Sequence, residues 1–382
     1  MSVSACIDNV EVALRPYVDS GTLPGYVAAV SVGGERRINA AGATAIEPGA
    51  DAMTPDTLFR VASLSKIVAG VLALCLERDG MLTLAEPVGR WLPELAAPRV
   101  LRDVRGPLDD TVAAVRPICV RDLLTMTAGM GRFLPDGPLH RAMVAEGLES
   151  GALPPACSHD AFMARVGRLP LAHEPGAGWL YHTSVDVLSV LMARAAGRPL
   201  SELVADCIAA PLGLDGLDFY AREPDRLATS YEPAGDGLEL SDVPSGPFSR
   251  PPLFESLGSG LVCAAPDFLA FMEPLAVRGG AVLSADDVAR IGGDQLEAGP
   301  RAAAQQFFGE RWSWGLGCQV KLRAGDTALA PGGFGWNGGK GTTAYVDPQR
   351  ALAAVLFTQR GLTGPRPTDF FIAFWDAVYR GL

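Results

Sequence analysis

The sequence predicts an α/β chain whose antiparallel sheet is built from both chain ends and flanked by helices, with a mainly helical segment inserted between them. Three observations predict it. β-branched, apolar runs bounded by glycines occur near the N-terminus and again in the last third, and residues from about 82 to 250 read instead as helices and long loops. Between the first strands and that segment lies a long apolar run, Ile67 to Leu76, with few interruptions. The expected organisation is a discontinuous α/β domain of residues 1–81 and 251–382 with a helical domain of residues 82–250.

Taken in order, Met1 to Glu11 patterns as an amphipathic helix and lacks the basic start and continuous apolar run of a signal peptide. Tyr26–Val32 and Arg36–Gly42 flank Gly33-Gly34 and read as a hairpin. The polar stretch Glu47–Asp51 is a loop leading to Phe59–Lys66. Ile67–Leu76 is a buried helix that Gly80 stops as a left-handed cap. Val120–Met130 is expected to be a short helix closed by Gly129, followed by helices Val185–Ala196, capped by Gly197, and Leu200–Ala210. Prolines and glycines between 224 and 252 predict an irregular excursion. Gly315–Val320, Thr342–Asp347 and Leu352–Thr358 are expected strands, and Phe370–Tyr379 a closing helix.

Composition narrows the partners. A hydrophobic content of 48% with 20% charged residues describes a well-packed globular chain of 382 residues. A net charge of −11, with no basic run, argues against nucleic acid or an anionic membrane surface as partner. Eighteen consecutive apolar residues occur nowhere, so no membrane span is expected. The seven cysteines are scattered and form no C-x-x-C pair, which fits reduced thiols in a cytoplasmic protein and gives no support to a metal site.

The chemistry centres on Ser63-Leu64-Ser65-Lys66, which reads S-x-x-K at the start of the apolar helix. Unpaired N–H groups and the positive end of the helix dipole favour an oxyanion beside the Ser63 hydroxyl. At a spacing of three, Lys66 shares a helical face with Ser63, and burial disfavours its ammonium form, so it can act as a base. Ser63 as a cap with Lys66 as a surface charge is the structural alternative.

Two further stretches bear on it. In Gly178–Ser184, the phenol of Tyr181 beside an amine could have a lowered pKa and serve as a base. In Gly332–Thr343, dense glycines let backbone N–H groups approach a ligand. Gly333–Gly338 matches G-x-G-x-x-G but precedes a strand, the wrong context for a dinucleotide. No serine lies in G-x-S-x-G. His182 in an extended segment would point away from Tyr181, which disfavours a Ser-His-Asp triad, and Asp186 and Asp122 read as helix-surface or capping charges.

Phe59–Lys66, Leu123–Met130, Tyr181–Leu188, Gly258–Val262 and Gly332–Phe357, in this order, resemble the serine β-lactamase and penicillin-binding-protein superfamily, specifically its class C-like esterase branch, the family VIII carboxylesterases. The resemblance spans roughly residues 10–380. It implies a β-lactamase-like fold with the site in the cleft between the two domains. It also implies Ser63 as nucleophile, Lys66 as its activating partner and Tyr181 as base and proton shuttle, with the N–H groups of Ser63 and Gly339 as oxyanion hole. Thr183 stands where many relatives carry Asn, and its hydroxyl offers weaker contacts to a substrate amide. Trp336-Asn337-Gly338 stands in place of the K-T-G triplet, as in the esterase branch, and with Thr183 forms the expected substrate contacts. Losing the K-T-G cation removes a partner for a substrate carboxylate, while Trp336 offers an apolar wall, so neutral esters are favoured. Lys340 is a less favoured substrate contact.

The expected function is a serine hydrolase that cleaves carboxylic esters of short to medium acyl groups through an acyl-Ser63 intermediate, without a cofactor and with a small-molecule ester as partner. An acyltransferase, or a β-lactamase or D-amino-acid peptidase, would use the same intermediate. A non-catalytic binding protein would not require Ser63, Lys66 and Tyr181 together.

Overall fold

The computed structural model describes residues 2–149, 151–235, 237–325, 327–364 and 366–382. Helix α1 (Val3–Asp19) precedes the hairpin β1 (Gly25–Val32) and β2 (Glu35–Gly42), then the short strand β3 (Leu58–Arg60). A 3-10 turn, Ala62–Leu64, leads into α2 (Ser65–Arg78). The next segment carries the paired strands β4 (Arg99–Leu101) and β5 (Thr111–Ala113) and helices α3 (Val120–Leu124), α4 (Pro138–Ala145), α5 (His159–Val166) and α6 (Thr183–Ala196). Helices α7 (Leu200–Val204) and α8 (Ala210–Leu212) and a hairpin of β6 (Ser230–Ala234) and β7 (Gly237–Asp242) complete it. Strand β8 (Val262–Ala264) pairs back onto β3. Helices α9 (Ala265–Ala276), α10 (Ala285–Ile291) and α11 (Ala298–Phe308) follow. The chain ends with β9 (Trp312–Trp314), β10 (Gln319–Lys321), β11 (Phe334–Gly338), β12 (Thr342–Asp347), β13 (Leu352–Thr358) and α12 (Asp369–Arg380).

Seven strands form one antiparallel sheet in the order β2-β1-β13-β12-β11-β10-β9, so N-terminal and C-terminal strands meet at β1 and β13. These two strands are buried on both faces, which is why their sequences are apolar throughout instead of alternating. Tyr26, Ala28 and Val30 pack with α1 and α12, whereas Val27 and Ala29 face the core that holds α2 and α9. Val32 pairs with Glu35 across Gly33-Gly34, both glycines at positive φ, as a two-residue hairpin turn matched to strand twist requires. No described helix is long and apolar enough to cross a membrane.

Three sequence expectations change. Gly315–Val320 is not one strand: residues 315–318 form the tight connection between β9 and β10, and Gln319 and Val320 begin β10. Gly317 has φ +83° there, and a Cβ on it would stand 2.1 Å from the Lys66 carbonyl oxygen. A Cβ on Gly70 would stand 2.1 Å from the carbonyl oxygen of Leu316, so helix and turn meet backbone to backbone. The region 224–252 is not wholly irregular, because it holds the β6–β7 hairpin, whose Pro233 masked the strand signal. The helix expected over Val120–Met130 stops at Leu124, since Met126 takes a positive φ of 60°.

The contact between α2 and the β9–β10 connection holds Lys66 in place. Gly317→Ala is expected to cost about 3 kcal/mol or more, combining a forbidden backbone region with a clash. Gly197→Ala, at φ +65° with open space around it, should cost only about 1 kcal/mol. Equilibrium unfolding in urea separates the two, and equal losses would show that the close approach is not needed.

Candidate active site

Ser63 sits in the 3-10 turn between β3 and α2, buried with 6% of its surface exposed. Ala62 before it is held at φ +47°, a conformation an L-residue adopts only under constraint. The constraint is visible. The Ser65 hydroxyl donates to the Ala62 carbonyl at 2.7 Å and accepts the Leu261 N–H, and the Thr342 hydroxyl donates to the Val61 carbonyl at 2.9 Å. Gly338 lets the end of β11 approach this turn, since a Cβ there would lie 2.3 Å from the Val61 oxygen. The N–H of Gly339 belongs to a peptide whose carbonyl, that of Gly338, accepts from Gly341 at 3.0 Å, so its orientation is fixed opposite that bond.

Lys66 is fully buried, and its Nζ has three neighbours: Ser63 Oγ at 3.0 Å, the Gly258 carbonyl oxygen at 2.5 Å and His182 Nδ1 at 3.1 Å. Burial brings its pKa down to about 7, against the opposing pull of Asp186 and with help from Arg132. A neutral amine has two N–H bonds and one lone pair. In the ammonium form Nζ donates to all three, whereas in the neutral form donation to Gly258 and His182 leaves the lone pair for the Ser63 hydroxyl.

His182 was expected to point away, yet at φ +84° it turns inward at the start of α6 and is wholly buried. Burial, with Lys66 nearby, brings its pKa to about 4, so the ring is neutral and Nδ1 can accept. Its Nε2 is 3.2 Å from Oδ2 of Asp186. Asp186 is no surface charge: it too is completely buried and accepts from the Ser256 hydroxyl at 2.6 Å. Burial alone would raise its pKa, but His182 and Ser256 hold it below the usual carboxylate range. Asp122, by contrast, caps α3 through the Cys119 N–H and pairs with Arg116.

Tyr181 shares a hydrogen bond with Ser63 and accepts the indole N–H of Trp336 at 2.8 Å. Burial nevertheless pushes its pKa up to about 12, so at neutral pH it is a phenol and not the phenolate envisaged from sequence. The Lys66 ammonium that was to lower it is itself disfavoured by burial. Trp336 is more than an apolar wall, because its polar edge is spent on Tyr181. Phe307 of α11 stacks on Tyr181 at 5.1 Å, and Phe133 reaches the same ring at 6.4 Å. Neither aromatic carried a motif signal, and only the folded chain brings them here.

Thr183 is 1% exposed and its hydroxyl donates to the Leu148 carbonyl at 3.1 Å, so it ties down a loop and is not offered to a substrate. Lys340 is committed to Glu232 and Ser241 of the β6–β7 hairpin. Asn337 faces the side of β11 opposite Trp336 and lines a cavity of about 430 Å³ with Phe307, Phe308, Gln319 and Tyr345. Trp312 lines it also, whereas Trp314 packs edge-on to Trp336 at 4.9 Å on the other face. Strand β10 meets β11 only at Phe334 and Gly335, so Trp336–Gly338 are paired on the β12 side alone among the described residues.

The fold is that of the serine β-lactamases and penicillin-binding proteins. The family model described as Beta-lactamase matches residues 10–373, and the chain belongs to that family, in its esterase and acyltransferase branch. It is 33% identical to a Mycobacterium tuberculosis protein over 92% of this chain and 90% of the relative. It is 31% identical to Esterase EstB of Burkholderia gladioli, covering 94% and 91% of the two chains. Among solved structures it superposes on EstCE1, described as a hydrolase with promiscuous acyltransferase activity, with a TM-score of 0.84, 26% identity and 99% of each chain covered.

The protonation of Lys66 is directly measurable. The sequence has three lysines, so with 13Cε-labelled lysine the resonance lost in Lys66→Met should titrate with a midpoint near pH 7. A midpoint above about 10, the ordinary lysine range, would mean that Lys66 stays an ammonium.

Proposed function

We propose that the protein is a carboxylesterase-type serine hydrolase that cleaves small-molecule carboxylic esters through an acyl-Ser63 intermediate. The observation that carries this reading is the arrangement around Lys66: its buried Nζ, held by the Gly258 carbonyl and His182 Nδ1 and with its pKa brought down to about 7, stands 3.0 Å from Ser63 Oγ. The names of Esterase EstB and EstCE1 support the same chemistry. The site lies in the cleft between the sheet domain, residues 1–81 and 251–382, and the helical domain, residues 82–250. Seven unpaired cysteines support a cytoplasmic location.

Ser63 Oγ attacks the ester carbonyl while its proton passes to Lys66, and the N–H groups of Ser63 and Gly339 receive the developing oxyanion. As the intermediate collapses, the bond to the alkoxy oxygen breaks. Tyr181, a phenol hydrogen-bonded to Ser63, hands its proton to the leaving oxygen and is reprotonated from the Lys66 ammonium. Water then attacks the acyl-Ser63 carbonyl, its proton returns through the same pair to Ser63 Oγ, and the acid is released. An alcohol in place of that water gives acyl transfer by the same steps. Trp336 holds the Tyr181 oxygen at 2.8 Å and stabilises any negative charge on it. His182 acts through Lys66, as a positioning residue.

Intact-mass measurement after brief exposure to p-nitrophenyl acetate or butyrate should show an acyl adduct that is absent in Ser63→Ala, with turnover lowered at least ~10³-fold. Unchanged turnover in Ser63→Ala would refute the assignment. Rapid turnover of a chromogenic cephalosporin, matching that of the esters, would move it to β-lactam hydrolysis.

The pH dependence has a definite sign. Lys66 must be neutral to take the Ser63 proton, and its pKa is lowered to about 7. Ester kcat/KM should therefore fall tenfold per pH unit below about pH 7 and level off above it. A profile flat from pH 5 to 8 would exclude Lys66 as the base.

A further inference from the structure

We propose that Arg132 is a carboxylate anchor: the ester that acylates Ser63 carries an anionic carboxylate that pairs with this guanidinium. The inference rests on the ester-hydrolase reading and names its substrate class. Arg132 is fixed beside the site by its backbone N–H, which donates to the Tyr181 carbonyl at 2.8 Å. Its guanidinium carbon lies 5.2 Å from the ring centre of Phe133, the residue that reaches over Tyr181. Its Nη1 comes within 2.8 Å of where a Cβ on Gly151 would be, and the neighbouring Ala152 Cβ comes within 2.9 Å of where one on Gly339 would be. The 151–152 loop therefore bridges the cation on one side and Gly339 on the other.

It has no counter-charge there. Nε is buried with no hydrogen-bond partner, and no carboxylate among the described residues lies within ion-pair distance of the side chain. Other half-buried or buried arginines are engaged: Arg60 with Asp242, Arg116 with Asp122, Arg194 with Glu94. A guanidinium does not shed its charge at working pH, and its planar fork fits a carboxylate. Its field reaches the reacting groups, since it lowers the pKa of Lys66, Tyr181 and His182. The absence of a lysine at the third motif pointed to neutral substrates. With Trp336 donating to Tyr181 and Lys340 held by Glu232, the opposite wall of the cleft supplies the cation instead.

The test compares monoethyl with diethyl esters of malonic, succinic, glutaric and adipic acids, and ethyl acetate with an acetate ester whose alcohol bears the carboxylate. Hydrolysis is followed by pH-stat at pH 9, where Lys66 is neutral with or without Arg132. Wild type should favour one charged ester over its uncharged counterpart by about 10- to 100-fold in kcat/KM. In Arg132→Gln that ratio should fall to about one, mainly through KM, and Arg132→Lys should restore part of it. The chain length or arm that shows the preference identifies whether the acid or the alcohol part carries the charge. If Ser63-dependent turnover of uncharged esters is found without preference for any charged one, or if Arg132→Gln lowers both members of a pair equally, the anchor is wrong while the hydrolase reading stands. If no ester of the series is turned over while p-nitrophenyl acetate still acylates Ser63, the anchor fails and the hydrolase reading stands; if neither reacts, both fail.

Discussion

The buried amine of Lys66, whose ammonium form burial disfavours, is the constraint on which the site depends. Three groups meet its Nζ, Ser63 Oγ, the Gly258 carbonyl and His182 Nδ1, and none of them is charged, so loss of solvation is not offset by a direct ion pair and the neutral form, whose lone pair can meet Ser63, is favoured. Much of the surrounding architecture serves this arrangement. The β9–β10 connection presses two glycine-lined backbones together at Lys66 and Gly70, and the Asp186–Ser256 pair lies against the far side of His182.

Burial also divides the labour between the two acid–base groups. It lowers the pKa of an amine and raises that of a phenol, so one dry environment moves Lys66 down to about 7 and Tyr181 up to about 12. The base and the acid of the reaction are thereby distinguished by the same desolvation acting with opposite sign. Trp336 belongs to the same scheme. A lysine in its place would add a cation beside Tyr181 and favour phenolate, whereas an indole N–H supplies a hydrogen bond without charge.

Both walls of the cleft come from parts of the chain far apart in sequence. Helix α11 brings Phe307 onto Tyr181, the loop after α3 brings Arg132 and Phe133, and the end of β11 brings Gly338 and Gly339 against the Ser63 turn. What a substrate meets beyond the reacting atoms is thus set by loops and by a short helix outside the motifs.

The sequence by itself determined the local and ordered features. Continuous apolar and β-branched runs at β1, β12 and β13, the glycine pair of the first hairpin, the caps at Gly80 and Gly197, and the order S-x-x-K, Tyr181, W-N-G were all legible, because each is a short-range rule of backbone geometry or residue type. Only the tertiary structure decided what depended on who is buried beside whom. His182 and Asp186 read as ordinary polar residues until α6 packed against α2 and removed both from water. Thr183 looked like a substrate contact until Leu148 took its hydroxyl, and the Tyr181 phenolate was excluded by desolvation, which no spacing records. Periodicity states which face of an element is apolar, but the dielectric around a titratable group belongs to neighbours that only the folded chain assembles.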